Sequence, residues 1–133
     1  MRICLDASVA VTGHQSKEPN HAVARARVDR VFTALDVLVV PAIFPIEVAY
    51  ALTRAGVEAK AVNDYLDLLL LGAELVAIGP KRWRRVAGIA MATKLRAADA
   101  TYAWVAGRAK VPLVTLDVEV LKRAAPVCAV EPP

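Results

Sequence analysis

Four carboxylates interrupt apolar sequence at places where a charged side chain is normally excluded. They are Asp6, Glu47, Asp99 and Asp117, and each follows or lies within a run of apolar residues. An isolated ionised carboxylate is very costly to bury, so buried acids are usually paired, hydrogen-bonded or bound to a metal. The same apolar segments hold no matching arginine or lysine, which indicates that a bound cation is the missing partner.

The donor atoms of such a cluster indicate its chemistry. Several carboxylates cannot all stay ionised in a small volume without cations, because like charges raise one another's pKa. Oxygen ligands with no nearby histidine or cysteine favour Mg²⁺, or alternatively Mn²⁺, over Zn²⁺. A site with one or two such ions is suited to hydrolysing a phosphodiester with a water that the metal activates.

Three of the four acids also have a simpler interpretation. Asp6 can be a turn or cap residue, with Ser8 completing a local hydrogen-bond motif. Asp99 can be a helix N-cap, and Asp117 can be a turn residue that starts a short helix. Glu47 is harder to explain in this way, because apolar residues flank it on both sides. Together these alternatives require several coincidences at the ends of predicted elements.

The elements that position these acids alternate along the chain. Near-continuous apolar runs are typical of strands that are covered on both faces. The predicted strands are Ile3–Leu5, Val37–Val40, Leu75–Ile78, Leu113–Leu116 and Val127–Val130. The predicted helices cover about 24–35, 44–55, 58–71, 81–93 and 99–109, with a short one after 117. This alternation predicts a parallel sheet with helices on both sides, and the acids then meet where ligands bind, at the carboxyl ends of the strands.

Length and composition fit a single domain over residues 1–133. Hydrophobic residues make up 57% of the chain, more than the roughly 45–50% usual in soluble domains, which leaves apolar surface for a partner. The longest apolar stretch, Val37–Ile46, is too short to cross a bilayer. Asp6 lies where a signal peptide would be apolar, so we expect a cytoplasmic protein. The net charge of +4 suits a polyanionic partner without requiring one.

Four motifs, in this order, resemble the acidic motifs of PIN domains. They are Leu5-Asp6-Ala7-Ser8, Pro45-Ile46-Glu47, Ala98-Asp99-Ala100 and Leu113-Val114-Thr115-Leu116-Asp117. In motif order, spacing and length the chain is similar to the VapC toxins of bacterial and archaeal toxin–antitoxin pairs. The resemblance implies an α/β fold of three layers, α/β/α, whose central parallel sheet has the strand order 3-2-1-4-5.

The same resemblance implies a function. Such a protein would be a divalent-metal-dependent endoribonuclease and the toxin of a type II pair, with a VapB-like antitoxin that blocks its site, and commonly a homodimer. The four acids would be its catalytic residues and metal ligands. Ser8 and Thr115 match hydroxyl positions that support the first and last acids. Glu119 is a candidate for a further acid, or equally a solvated helix residue.

The densest basic segment is the second feature that suits RNA. It consists of Lys81, Arg82, Trp83, Arg84 and Arg85. These cations are predicted to hold the RNA backbone while the tryptophan stacks on an unpaired base. The alternative is a solvated helix start whose tryptophan anchors the core.

Other functions and surfaces remain open at this point. A PIN-like module that binds RNA or protein without cutting would keep its RNA affinity and bind no metal. A phosphatase of the haloacid dehalogenase type needs a second acid two residues after Asp6, where this chain has Ser8. His14 and His21 are weak candidates for metal-free acid–base cleavage, because they lie in or beside a predicted exposed loop and have no partner motif. The run Leu68–Leu71 indicates either a fully buried helix or apolar surface for a dimer or antitoxin.

Overall fold

The computed structural model describes residues 1–133 as a five-stranded sheet and seven helices. The strands are β1 (Arg2–Leu5), β2 (Val37–Pro41), β3 (Glu74–Val76), β4 (Leu113–Val114) and β5 (Val130–Glu131). The helices are α1 (Ala7–His14), α2 (His21–Phe32), α3 (Ile43–Arg54), α4 (Ala59–Leu69), α5 (Gly79–Thr93), α6 (Ala97–Ala109) and α7 (Val118–Arg123). Every strand pair is parallel, and the order β3-β2-β1-β4-β5 confirms the predicted topology.

The central strands are apolar throughout because helices cover both faces of the sheet. Ile3, Cys4 and Leu5 of β1 are fully buried, and Leu38–Val40 of β2 are at most 1% exposed. Helices α1 to α4 pack against one another, whereas α5 packs against α6 and α6 packs against β1, β2 and β4. The result is the predicted three-layer α/β/α architecture.

Helix α6 is buried on every side over eight consecutive residues, from Asp99 to Ala106. Such a helix has no polar face, which explains why its sequence lacks the usual amphipathic pattern. At its end, a Cβ atom on Gly107 would lie 2.7 Å from the carbonyl oxygen of Val127. Only glycine therefore allows α6 to approach the segment that leads into β5 so closely.

The structure corrects several predicted boundaries. Helix α1 occupies a segment for which we predicted no helix, and it crosses α2 so closely that a Cβ atom on Gly13 would lie 2.8 Å from Val28 Cγ2. Helix α6 begins two residues before Asp99, and β5 lies later than predicted. A helix of eight residues shows few repeats of its period, so packing against α2 decides this segment, not sequence periodicity.

Helix α4, the turn after it and the edge strand β3 leave a leucine surface exposed. Leu69 is fully buried, whereas Leu68 and Leu71 are 55% and 80% exposed, and Leu75 on β3 is 49% exposed. The fully buried alternative for the Leu68–Leu71 run is therefore wrong. No helix in the chain combines the length and the apolarity that crossing a membrane requires.

Candidate functional site

Asp6 lies at the carboxyl end of β1, in the first residue after the strand. It is 8% exposed, and its Oδ2 accepts hydrogen bonds from Ser8 Oγ at 2.9 Å and Thr115 Oγ1 at 2.7 Å. Thr115 Oγ1 also accepts from the backbone N–H of Asp117 at 3.0 Å. The two hydroxyls orient the Asp6 carboxylate and link the end of β1 to the segment after β4. Asp6 occupies the N-cap position of α1 without a side-chain cap hydrogen bond, and the local hydrogen bond from Ser8 that the simpler interpretation expected is present.

Glu47 projects from α3, which follows β2, and meets a tyrosine of α6. Tyr102 Oη donates a hydrogen bond of 2.7 Å to Glu47 Oε1. Burial raises the pKa of Glu47, and the negative charges of Asp6 and Asp99 raise it further, whereas the hydrogen bond from Tyr102 lowers it. Burial and the contact with Glu47 strongly raise the pKa of Tyr102, which therefore stays protonated and donates. The sequence offers one signal for Tyr102: its position three residues after Asp99 places it on the same face of α6.

Asp99 and Asp117 share one guanidinium. Arg96 Nε donates to Asp99 Oδ2 at 2.9 Å, and Arg96 Nη2 donates to Asp117 Oδ2 at 2.9 Å. Burial raises the pKa of Asp99, Arg96 lowers it, and the charges of Asp6 and Asp117 raise it. Asp99 is the third residue of α6 and not its N-cap, which is Arg96. The sequence places Arg96 three residues before Asp99, but nothing in it links Arg96 to Asp117.

Asp117 combines two roles. Its Oδ1 accepts a hydrogen bond of 2.8 Å from the backbone N–H of Glu119, so it caps α7 as the simpler interpretation held. Its Oδ2 faces Arg96. The Glu119 carboxylate instead pairs with Arg123 on the same helix at 2.9 Å. A cavity of about 320 Å³ opens here, and Arg96, Asp99, Asp117 and Glu119 are among its lining residues.

The donor chemistry of this site fits a hard divalent cation, whereas the positions of the donors do not converge. All the candidate ligands are carboxylate oxygens, the donors that Mg²⁺ and Mn²⁺ prefer. No group of three or more His, Cys, Asp or Glu side chains lies close enough together to hold a metal ion. Hydrogen bonds and charge interactions nevertheless connect the four acids in one site, and Arg96 lies between Asp99 and Asp117.

A fifth carboxylate satisfies the same sequence criterion but lies elsewhere. Asp36 precedes β2, is 1% exposed, and accepts hydrogen bonds from Arg30 Nε at 2.8 Å and Arg30 Nη2 at 3.0 Å. Arg27 Nε lies 3.4 Å from Asp36 Oδ2 without hydrogen-bond geometry. The hydrogen bonds from Arg30 lower the pKa of Asp36. It sits at the amino end of the sheet, where a fixed ion pair satisfies it.

The basic segment lies at the start of α5 and divides into two parts. Arg82 is committed to the fold, because its Nη1 donates to the carbonyl oxygen of Ala77 at 2.9 Å and its guanidinium lies 5.6 Å from the centre of the Trp104 ring. Trp83 is 49% exposed, so it does not anchor the core. Arg84 lies 4.5 Å from the centre of the Trp83 ring. Lys81, Arg84 and Arg85 are exposed.

A groove lies next to this segment. It has a volume of about 670 Å³, and Arg85, Lys122 and Arg123 lie in its lining. Arg123 also lines the cavity beside Asp99 and Asp117.

The two histidines take part in packing instead of the acidic site. His14 Nδ1 lies 2.9 Å from Gln15 Nε2, and the ring packs edge-on against Tyr65 with centroids 4.8 Å apart. His21 Nδ1 lies 2.8 Å from the carbonyl oxygen of Thr12. His14 ends α1 and His21 begins α2, so both lie beside the exposed loop that we predicted there.

The chain belongs to the PIN domain family, whose model matches residues 3–126. PIN domains are generally nucleases. The fold is similar to that of PAE2754 from Pyrobaculum aerophilum, with a TM-score of 0.66 and 23% identity over 92% of this chain and 87% of that one. It is also similar to VapBC2 from Rickettsia felis, solved bound to a DNA fragment from their promoter, with a TM-score of 0.72 and 15% identity over 100% of this chain and 99% of that one. No curated protein sequence matches the chain.

Proposed function

We propose that this protein is a divalent-metal-dependent endoribonuclease and the VapC-like toxin of a type II toxin–antitoxin pair. The observation that carries the proposal is the placement of four acids from four separate motifs in one connected site at the carboxyl edge of a PIN-domain sheet. Asp6, Glu47, Asp99 and Asp117 would hold Mg²⁺ or Mn²⁺. The ion would supply the positive charge that activates water and stabilises the phosphodiester as it is attacked.

The chain's own residues prepare this site in separate ways. Ser8 and Thr115 fix one oxygen of Asp6, which leaves the other free for a ligand. Tyr102 holds Glu47 towards the centre, and the hydroxyl stays protonated while it does so. The burial of Asp6 and Asp99, each 8% exposed, strengthens their interaction with any cation that enters, because charges interact more strongly in a medium of low polarity.

A cleavage assay with matched variants tests this function. The wild-type protein should cut labelled single-stranded RNA internally with Mg²⁺ or Mn²⁺ and not with EDTA. Asp6→Asn and Asp99→Asn should lower the rate at least about a hundredfold, since even outer contacts of a metal site contribute ten- to a hundredfold. Asp67→Asn, an exposed change on α4, is the control. Cleavage by Asp6→Asn at the wild-type rate would refute the assignment of Asp6.

The arrangement of Arg96 supports a second candidate, a PIN domain that binds RNA without cutting it. One guanidinium already pairs with two of the four acids, and no three acids converge. Such a protein would retain RNA affinity in EDTA and give no cleavage products with either metal. The assay above distinguishes the two functions with the same RNA.

A VapB-like antitoxin is the proposed protein partner, and the protein would act in the cytoplasm. Ile46 and Tyr50 on α3 are 67% and 65% exposed, and Tyr50 lines a cavity together with Glu47, so a partner that buried Tyr50 would also cover Glu47. The name of the R. felis structure, VapBC2, supports the same partner. Co-expression with the product of the adjacent upstream gene should yield a stable complex without nuclease activity, and separate elution of the two proteins would contradict it.

A homodimer is the proposed assembly, with the leucine surface of α4 and β3 as its interface. Exposed leucines on a sheet edge are suited to pairing with a second copy. Leu71→Glu should convert a dimer to a monomer in light scattering. Unchanged mass would place the interface elsewhere.

A further inference from the structure

Arg96 places one positive charge on the solvent side of two acids that come from different parts of the chain. Its side chain is 77% exposed, whereas those of Asp99 and Asp117 are 11% and 26% exposed. Each carboxylate gives its Oδ2 to the same guanidinium, at 2.9 Å in both cases. The arginine therefore occupies the sides of these two acids that an entering cation would need.

This contact is of the kind that can open. Ion pairs with an exposed partner are weak, because water competes for both charges and the long side chain loses freedom in the pair. An arginine cannot leave its partners by losing a proton. Release of the two acids thus requires rotation of the side chain into solvent, and nothing packs over Arg96 to prevent this.

We propose that Arg96 is a built-in counter-cation of the metal-free site, which holds Asp99 and Asp117 and competes with the divalent ion for their Oδ2 atoms. This inference rests on the proposed metal-dependent function and adds a regulatory element to it. The same contact explains why the acids do not converge on one point: two of them point at the guanidinium. If Arg96 were instead a permanent clamp that positions both acids for the metal, its removal would weaken metal binding.

Mn²⁺ binding to purified variants tests the competition directly, by titration calorimetry and by the loss of the free Mn²⁺ signal in electron paramagnetic resonance. Arg96→Gln should bind Mn²⁺ roughly two- to thirtyfold more tightly than the wild type, the range expected when two exposed ion pairs no longer compete. Arg96→Lys should fall between them, because an ammonium keeps the charge but lacks the planar fork that reaches two carboxylates.

Arg25→Gln is the matched control for the change in net charge. Arg25 makes an exposed ion pair with Asp29 on α2 at 2.8 Å, so its loss removes the same kind of contact outside the acidic site. The control should bind Mn²⁺ as the wild type does. Melting curves provide a second measurement without RNA: Mn²⁺ should raise the melting temperature of Arg96→Gln by more than that of the wild type.

The outcomes separate the two proposals. Equal or weaker Mn²⁺ binding by Arg96→Gln would overturn the competition and leave the nuclease function standing. A lack of Mn²⁺ binding in the wild type and in both Arg96 variants would overturn the metal-dependent function and the competition together. If Arg96→Gln does not fold, an affinity of Arg96→Lys no higher than that of the wild type refutes the competition by itself.

Discussion

Tyr102→Phe removes one oxygen atom from the centre of the acidic site and leaves the ring in place. Tyr102 is 1% exposed, and its hydroxyl donates to Glu47 Oε1 at 2.7 Å. A hydrogen bond to a charged group contributes about 1.5–3 kcal/mol to stability. Because Glu47 is only partly buried, water can replace the lost donor, and we expect a loss of about 1–2 kcal/mol. The phenyl ring fills the same space, so no cavity adds to the loss.

A double-mutant cycle isolates this interaction from the other effects of each change. Urea unfolding at pH 7 of the wild type, Tyr102→Phe, Glu47→Ala and the double variant gives the coupling free energy, which should be about 1–2 kcal/mol. Tyr50→Phe is the matched control, because Tyr50 lies on α3 and is 65% exposed. Its effect should stay within about 0.5 kcal/mol.

A coupling below about 0.3 kcal/mol, the error of additivity for independent sites, would refute the role given to Tyr102. So would a Tyr102→Phe variant no less stable than Tyr50→Phe. Either result would mean that Glu47 is held by packing of α3 alone and that Tyr102 only fills space in the core.

Three further predictions concern stability and RNA binding. Asp36→Asn should lower the free energy of unfolding by about 2–4 kcal/mol at pH 7, as expected when one partner of a buried ion pair loses its charge. Because the folded-state pKa of Asp36 is lowered, this deficit in urea unfolding should shrink as the pH falls below about 4, and a deficit that stays constant with pH would contradict the prediction. The double variant Arg84→Glu and Arg85→Glu should weaken RNA binding and reduce the slope of log affinity against log salt concentration by about one phosphate contact or more. An unchanged slope would mean that the basic segment is only a solvated helix start. Gly107→Ala should lower the free energy of unfolding by about 1–3 kcal/mol, because the new Cβ atom would lie 2.7 Å from a backbone oxygen. The control Gly88→Ala, whose Cβ atom would meet nothing within 4 Å, should be neutral or stabilising in thermal melts.

Local sequence was sufficient to predict an element where its burial produces a clear pattern of apolar residues. The runs around Ile3–Leu5 and Val37–Val40 are apolar at every position because helices cover both faces of the sheet, and this identified them as parallel strands. The strand order is different in kind: no periodicity specifies which strands are neighbours, and the order was predicted from the resemblance of the acidic motifs to PIN domains. Helix α1 was missed because eight residues are too few for the period to show.

For the acids, too, local sequence predicts burial but not the partner of each side chain. An acid beside apolar residues reports burial, and this criterion selected Asp6 and Asp99, which are buried at the carboxyl edge of the sheet. Asp36 meets the same criterion and was not selected, and it lies at the opposite edge with Arg30 as its partner. Sequence spacing does not distinguish an acid that awaits a ligand from one that already has a fixed cation.

By itself the sequence determined the α/β class, the main strands and helices, and the positions of the acidic motifs along them, because these depend on the residues nearest in the chain. Only the tertiary structure decided the partners. Tyr102 reaches Glu47 across 55 residues, and Arg96 reaches Asp117 across 21. Such pairs form where α6 packs against β1, β2 and β4, and the geometry of that packing is set by the whole core instead of by any local pattern.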